Sequence, residues 1–266
     1  MKKKLLKNCK DIIFDIGANE GNDGLAFSLL FKNCTIYAFE PNEELIKIIR
    51  SNKKNLEKII GHKLNNYKLF KNAISNKNTK INFNISKNIG AHSIYDFNKN
   101  LHKFKRHQEG YEIKKKTRVN VIKLSSFLKD KKFRRIRYLH CDAQGSDINV
   151  LKGLNSEIKY LDFGVVEVSA KNESNLYKNS NNNLFNLKKF LKKKNFLIQK
   201  IKSNDIYNNE LNINFRNKSL TNTNLLNLSQ KFKLKFYQKF IRKIIMRHRK
   251  VFIYQLFYKL LNAKYY

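Results

Sequence analysis

Two acidic turns carry the chemistry most visible in this chain: Asp15-Ile16-Gly17-Ala18-Asn19-Glu20-Gly21 and Ala38-Phe39-Glu40-Pro41-Asn42, each directly after a short apolar run. Gly17 and Gly21 let the backbone turn sharply and come close to a ligand, and Asn19 between them tolerates left-handed angles. Glu40, at the end of the second run, stands where a carboxylate can accept both hydroxyls of an adenosine ribose. A third carboxylate, Asp142, closes the run Arg137-Tyr138-Leu139-His140-Cys141-Asp142. Three acidic groups at strand ends facing one crevice read as a site for a nucleotide cofactor.

Two cofactor chemistries compete for that geometry. A dinucleotide site asks for G-x-G-x-x-G, whose second glycine admits the pyrophosphate and whose third packs helix against strand. Here those positions hold Gly17, Asn19 and Asn22, and Asp15 just ahead of the loop would repel a pyrophosphate. S-adenosylmethionine carries a sulfonium and an ammonium against one carboxylate, so an acidic loop attracts it. The sign of the charge favours the methyl donor.

Methyl transfer to a hydroxyl needs a group to take its proton. Asp142 is the expected base, and His140, two residues earlier on the same strand face, is the expected assistant. The histidines show no metal-ligand spacing, so no metal is expected. Pro41 is the only proline, which removes both the N/D-P-P-Y/F turn of exocyclic-amine base methylation and the Pro-Cys nucleophile of cytosine-C5 methylation. RNA ribose methylation stays open.

At these residues the chain resembles a known family. Asp15-x-Gly17-Ala18-Asn19, then Ala38-Phe39-Glu40-Pro41-Asn42, then Asp142-x-Gln144-Gly145 leading to Val150-Leu151-Lys152-Gly153, and a strand through Glu167-Val168 are similar to the pattern of FkbM-type methyltransferases over about residues 11 to 216. The resemblance implies a Rossmann-like α/β class I methyltransferase fold: a seven-stranded, mostly parallel sheet with a reversed last strand and helices on both faces. It implies S-adenosylmethionine as cofactor, with Asp15, Gly17, Asn19, Gly21, Glu40 and Asp142 around it and Asn72 and Ala73 beside the adenine. It also implies an oxygen acceptor, on a sugar hydroxyl of a glycan or a lipid-linked precursor, and a Ser93 that lines the pocket. Departures from the pattern are Asp147 for a glutamate, His140 for a lysine, and Lys123-Leu124-Ser125 for T-L-D; these are expected near the acceptor.

Such a site needs an α/β frame. Strands are expected at 11–15, 35–39 and near 67–72, and helices near 23–31 and from Asn42 toward Leu56, a spacing that argues a parallel sheet covered on both faces. Lys80 to Thr117 reads as irregular with hairpin strands. Asn172 to Asn183 reads as a loop before a helix over 184–193, and 196–199 with 212–215 as closing antiparallel strands.

The chain of 266 residues is expected to divide into a catalytic domain, 1–218, and a basic helical tail, 219–266. Its net charge of +36 would draw polyanions, although Lys, Asn and Ile are also the residues of A/T-rich codons. In the tail Tyr237, Ile241, Ile244, His248 and Phe252 recur on one helical face, and Lys235, Lys239, Arg242, Arg249 and Lys250 on another. Such a helix either lies in an anionic membrane interface or packs its apolar face on protein. On the first reading the tail is dispensable for cofactor binding. Cys9, Cys34 and Cys141 have no metal spacing and read as reduced core residues of a cytoplasmic protein, peripheral to the membrane if the tail touches lipid. Met1-Lys2-Lys3-Lys4-Leu5-Leu6 imitates a signal peptide, but Lys7, Asn8 and Lys10 break its apolar core, and no run is long enough to span a bilayer.

Overall fold

β1 (Asp11–Ile16) is buried along its whole length, because its β-branched and aromatic residues meet helices on both sides: Ile12, Phe14 and Ile16 join one core and Ile13 the other. The computed structural model describes residues 10–98, 111–173, 175–205, 209–221, 224–226 and 228–245. β2 (Cys34–Phe39) and β3 (Tyr67–Phe70) extend the sheet to one side in parallel. On the other side lie β7 (Ile136–Cys141) and β8 (Leu161–Ser169), also parallel, then β10 (Glu210–Asn217), antiparallel to both β8 and β9 (Phe196–Ser203). The strand order β3-β2-β1-β7-β8-β10-β9 is the seven-stranded Rossmann-like sheet with its last strand reversed.

Between the third strand and β7 the chain builds a small second sheet of order β4-β6-β5 from β4 (Ala73–Ile74), β5 (Thr79–Ser86) and β6 (Ile113–Ile122). Within the stretch 80–117, read as irregular with hairpin strands, β5 and the start of β6 form an antiparallel pair, and residues 99–110 lie outside what is described. Ile81, Phe83 and Ile85 alternate along β5 and pack with Val119 and Val121 of its antiparallel partner. Asn72 falls in the gap after β3 rather than at a strand end.

Helices cover both faces. On the face of Ile12, Phe14 and Ile16 lie α3 (Leu124–Leu128), α4 (Asp147–Gly153) and α5 (Leu184–Lys193), contributing Leu124, Leu151 and Leu187. On the face of Ile13 lie α1 (Asn22–Leu30) and α2 (Glu43–Ile60). The start of α2 is set by the Asn42 side chain, which accepts from the Glu44 N–H at 3.0 Å, with Glu43 and Glu44 in the first turn, and its end by Gly61 in a left-handed conformation.

α6 (Leu228–Ile245) docks on this second face. Tyr237, Phe240 and Ile241 are at most 1 % exposed and join the core of Leu25, Ile49 and Leu56. At Tyr237, Phe240 and Ile241 the helix is therefore packed on protein, the second of the two readings of the tail. Lys231, Lys235 and Lys239 stay on the exposed side. His248, Arg249, Lys250 and Phe252, and the Ile244 side chain, lie outside what is described, as does Cys9. Cys34 and Cys141 are buried free thiols. Among the described residues no helix is long and apolar enough to cross a membrane.

Candidate active site

The loop after β1 and the end of β2 close on each other. The Asn19 N–H donates to Glu40 Oε2 and the Asn42 N–H to Glu40 Oε1, each at 2.9 Å. Both carboxylate oxygens keep a lone pair beyond these bonds. Glu40 is 4 % exposed, and burial pushes its carboxyl up to about 7, against the pull of the two backbone donors. A buried carboxylate without a cation is a group that gains from two further donors.

Glu40 opens onto a cleft between the loop after β1, the end of β2 and the segment that follows β3. Gly17, Asn19, Asn72, Ala73 and Asp142 line it as well, with Leu45 and Ile74 as apolar walls. Gly17 sits at φ +77, and a Cβ there would lie 2.1 Å from the Asp142 carbonyl oxygen, so only glycine lets the loop approach β7 this closely. Asn19 Oδ1 is buried with no hydrogen-bond partner. A paired-acceptor carboxylate, apolar walls and a glycine-cleared approach fit the adenosine part of S-adenosylmethionine.

Asp142 lines the cleft at the carboxyl end of β7, and burial raises its carboxyl above the usual range. Gln144 donates to Asp142 Oδ1, and the Tyr177 hydroxyl donates in turn to Gln144 Oε1, which fixes the direction of the carboxyl. The same Asp142, with Gly17 and Asn19, also borders a second pocket on the α1 side, lined by Asp15, Asp23 and His140. There His140 Nδ1 lies 3.0 Å from Asp15 Oδ1. Burial alone would lower the imidazole, but the bond to Asp15 and the charges of Asp15, Asp23 and Asp142 push it up to about 9. Burial pushes the Asp15 carboxyl up in turn, against the pull of His140, so the two act as one hydrogen-bonded pair.

The expected site residues sort into three groups. Gly17, Asn19, Glu40, Asn72, Ala73 and Asp142 converge on the cleft, and Asp15 and His140 meet in the neighbouring pocket. Gly21 caps α1 in a left-handed conformation and shapes the loop from behind. Ser93, expected in the pocket, is 1 % exposed and donates to the Gln144 carbonyl at 2.7 Å, while His92 takes the lining position. Asp147 and Ser125, expected near the acceptor, stand apart from the cleft. Asp147 is fully buried and accepts from the Glu167 N–H at 3.1 Å; Ser125 accepts from the Asn155 amide on the surface of α3.

Gly24 and Tyr177 were not singled out, Gln144 entered only as a motif position, and Arg242 only as part of the basic face of the tail. A Cβ on Gly24 would meet Asp15 Oδ2 at 2.4 Å, so this glycine takes the helix-packing role that the fingerprint gives to its third glycine, two residues later than the pattern asks. A lone glycine inside a helical stretch was the available signal.

The profile of the methyltransferase FkbM domain matches residues 15–198. This chain belongs to the FkbM methyltransferase family. Among FkbM-type and related proteins, 2-O-methyltransferase NoeI of Sinorhizobium fredii is 26 % identical over 152 residues, 56 % of this chain and 59 % of that protein. The methyltransferase FkbM from Methylobacillus flagellatus KT overlays with a TM-score of 0.48 at 12 % identity, over 78 % of this chain and 43 % of the other. M. capricolum TrmK, in complex with S-adenosylhomocysteine, overlays with a TM-score of 0.40 at 13 % identity, over 97 % and 93 % of the two chains. The chain spans less than two thirds of the length of NoeI and of the M. flagellatus protein.

Proposed function

We propose that this FkbM-family protein is an S-adenosylmethionine-dependent O-methyltransferase acting on a sugar hydroxyl of a glycan or a lipid-linked glycan precursor. The observation that carries the reading is the placement of Asp142 at the junction of the Glu40 cleft and the Asp15–His140 pocket. When bound, the cofactor supplies a methyl group on a positively charged sulfur. Glu40 accepts the ribose hydroxyls, Asn72 and Ala73 border the adenine, and Asp15 with Asp142 offers negative charge to the sulfonium and ammonium. Asp142 would take the proton of the acceptor hydroxyl as the oxygen of that hydroxyl receives the methyl group that the cofactor would supply. A carboxyl raised by burial suits that task, because its pKa lies nearer the working pH.

His140, bonded to Asp15, assists by holding the charge balance of the pocket rather than by reaching the acceptor. The oxygen acceptor is supported by the family and by a relative named as a 2-O-methyltransferase. The net charge of +36 favours RNA as the second acceptor class. The exposed lysines of α6 support a peripheral, electrostatic contact of this cytoplasmic protein with anionic lipid.

The test is transfer of labelled methyl from the donor to a cell-envelope glycan extract and, separately, to total RNA. Label is expected in the glycan, and Asp142→Asn should lower turnover ~100-fold or more with the fold intact. Label in RNA alone would replace the acceptor assignment, and normal turnover in the Asp142→Asn variant would remove Asp142 from the chemistry.

A further inference from the structure

We infer that Arg242, from the C-terminal helix α6, holds the carboxylate at the methionine end of the methyl donor, so that α6 is part of the cofactor site. The inference rests on the donor proposed above and goes beyond it by assigning a subsite to a residue outside the matched segment 15–198.

The pocket on the α1 side brings four carboxylates, Asp15, Glu20, Asp23 and Asp142, around one guanidinium, that of Arg242. His140, the other basic group there, is engaged with Asp15. The methionine end of the donor is a zwitterion. Its ammonium suits the acidic wall, but its carboxylate would be repelled by the same wall unless a cation faced it. Arg242 is the group of the right sign, and its planar fork matches a carboxylate in two-point geometry.

Arg242 is held in place rather than free to wander. With the Asn22 amide in the orientation that satisfies both of its ends, the Arg242 Nε–H donates to Asn22 Oδ1 at 3.2 Å and Asn22 Nδ2 donates to the Gln238 carbonyl at 3.0 Å. Gln238 Nε2 donates to Asp23 Oδ1 at 2.6 Å. Tyr237, Phe240 and Ile241 anchor the same helix in the core. The Nε–H is thereby used to orient the group, which leaves the two terminal amino groups for a ligand, and among the described residues Arg242 makes no ion pair.

Calorimetry on the full chain tests this with two ligands, S-adenosylhomocysteine and its decarboxylated analogue. Arg242→Met should weaken S-adenosylhomocysteine ~10- to 100-fold, as expected for a lost charged hydrogen bond. Arg242→Lys should fall between the two, and the decarboxylated analogue should bind wild type and Arg242→Met equally. Unchanged affinity of Arg242→Met for S-adenosylhomocysteine overturns the assignment. Equal loss for both ligands also overturns it, by showing that Arg242 only braces the loop. A wild-type protein that binds neither ligand would refute the donor itself, a separate outcome.

Discussion

The backbone N–H of Asn19 and the carboxylate of Glu40 are joined at 2.9 Å across 21 residues of sequence, so the two acidic turns are one structural unit. The carboxylate that would receive the ribose also holds the loop that would lie beside the rest of the donor. Binding at one is therefore felt at the other.

That link gives affinity a pH dependence. Burial pushes the Glu40 carboxyl up to about 7, against an ordinary value of 4.5. Its raised value contributes stability to the ligand-free fold below about 4.5, and this is lost as pH rises through 7. Ribose hydroxyls donate best to the ionised form, so affinity for S-adenosylhomocysteine should rise between pH 6 and 8, by up to ~10-fold per unit below the pKa. Calorimetry across that range should show the slope in wild type and a weak, flat response in Glu40→Gln. A wild type with flat affinity would mean that Glu40 does not receive the ligand.

Asp147 is expected to matter for stability rather than turnover. It accepts from two backbone N–H groups, Glu167 at 3.1 Å and Ala143 at 3.5 Å, inside a fully buried site. Asp147→Ala should cost about 1–3 kcal/mol in urea unfolding by leaving those donors unpaired. Asp147→Glu, which restores the family's residue, adds a methylene to a filled space and should also destabilise, by about 1–3 kcal/mol. An Asp147→Glu variant that is more active and no less stable would return this position to the acceptor side.

Two phenylalanines of α6 separate packing from surface. Phe240 is fully buried and Phe232 is 65 % exposed. Phe240→Ala should lower unfolding free energy by about 3–5 kcal/mol, and Phe232→Ala by less than about 0.5 kcal/mol. Equal effects would mean that α6 is not docked.

Lipid contact, with the apolar face of α6 already occupied, should be electrostatic. Co-sedimentation with anionic vesicles is expected at low salt and should vanish toward ~0.5 M salt, where the screening length is only a few ångströms. Binding that survives high salt would indicate insertion of apolar side chains.

The sheet was legible wherever apolar runs ended in turn residues: β1, β2 and β7 fall within a residue or two of their expected positions. The cleft residues were legible for the same reason, since Asp15, Glu40 and Asp142 sit at or just after the ends of their strands. β5 was blurred because its alternation of Asn with Ile and Phe lies among many lysines and asparagines. Ser93 and His92 were exchanged because neighbouring residues in an extended segment face opposite ways. Tyr177 carries no local pattern, and Arg242 was legible only as part of a basic helical face; their places at the site come from tertiary docking, through Gln144 in one case and Asn22 in the other.

The burial of Tyr237, Phe240 and Ile241 against Leu25 and Ile49 also orders events during synthesis. The first α/β units leave the ribosome with an apolar surface that nothing made so far can cover. At ~5–20 residues per second, roughly 10 to 30 seconds pass before α6 is complete. During that interval the nascent chain offers a binding surface to chaperones, and a message truncated before α6 would yield a protein prone to aggregate even though every strand of the sheet had been made.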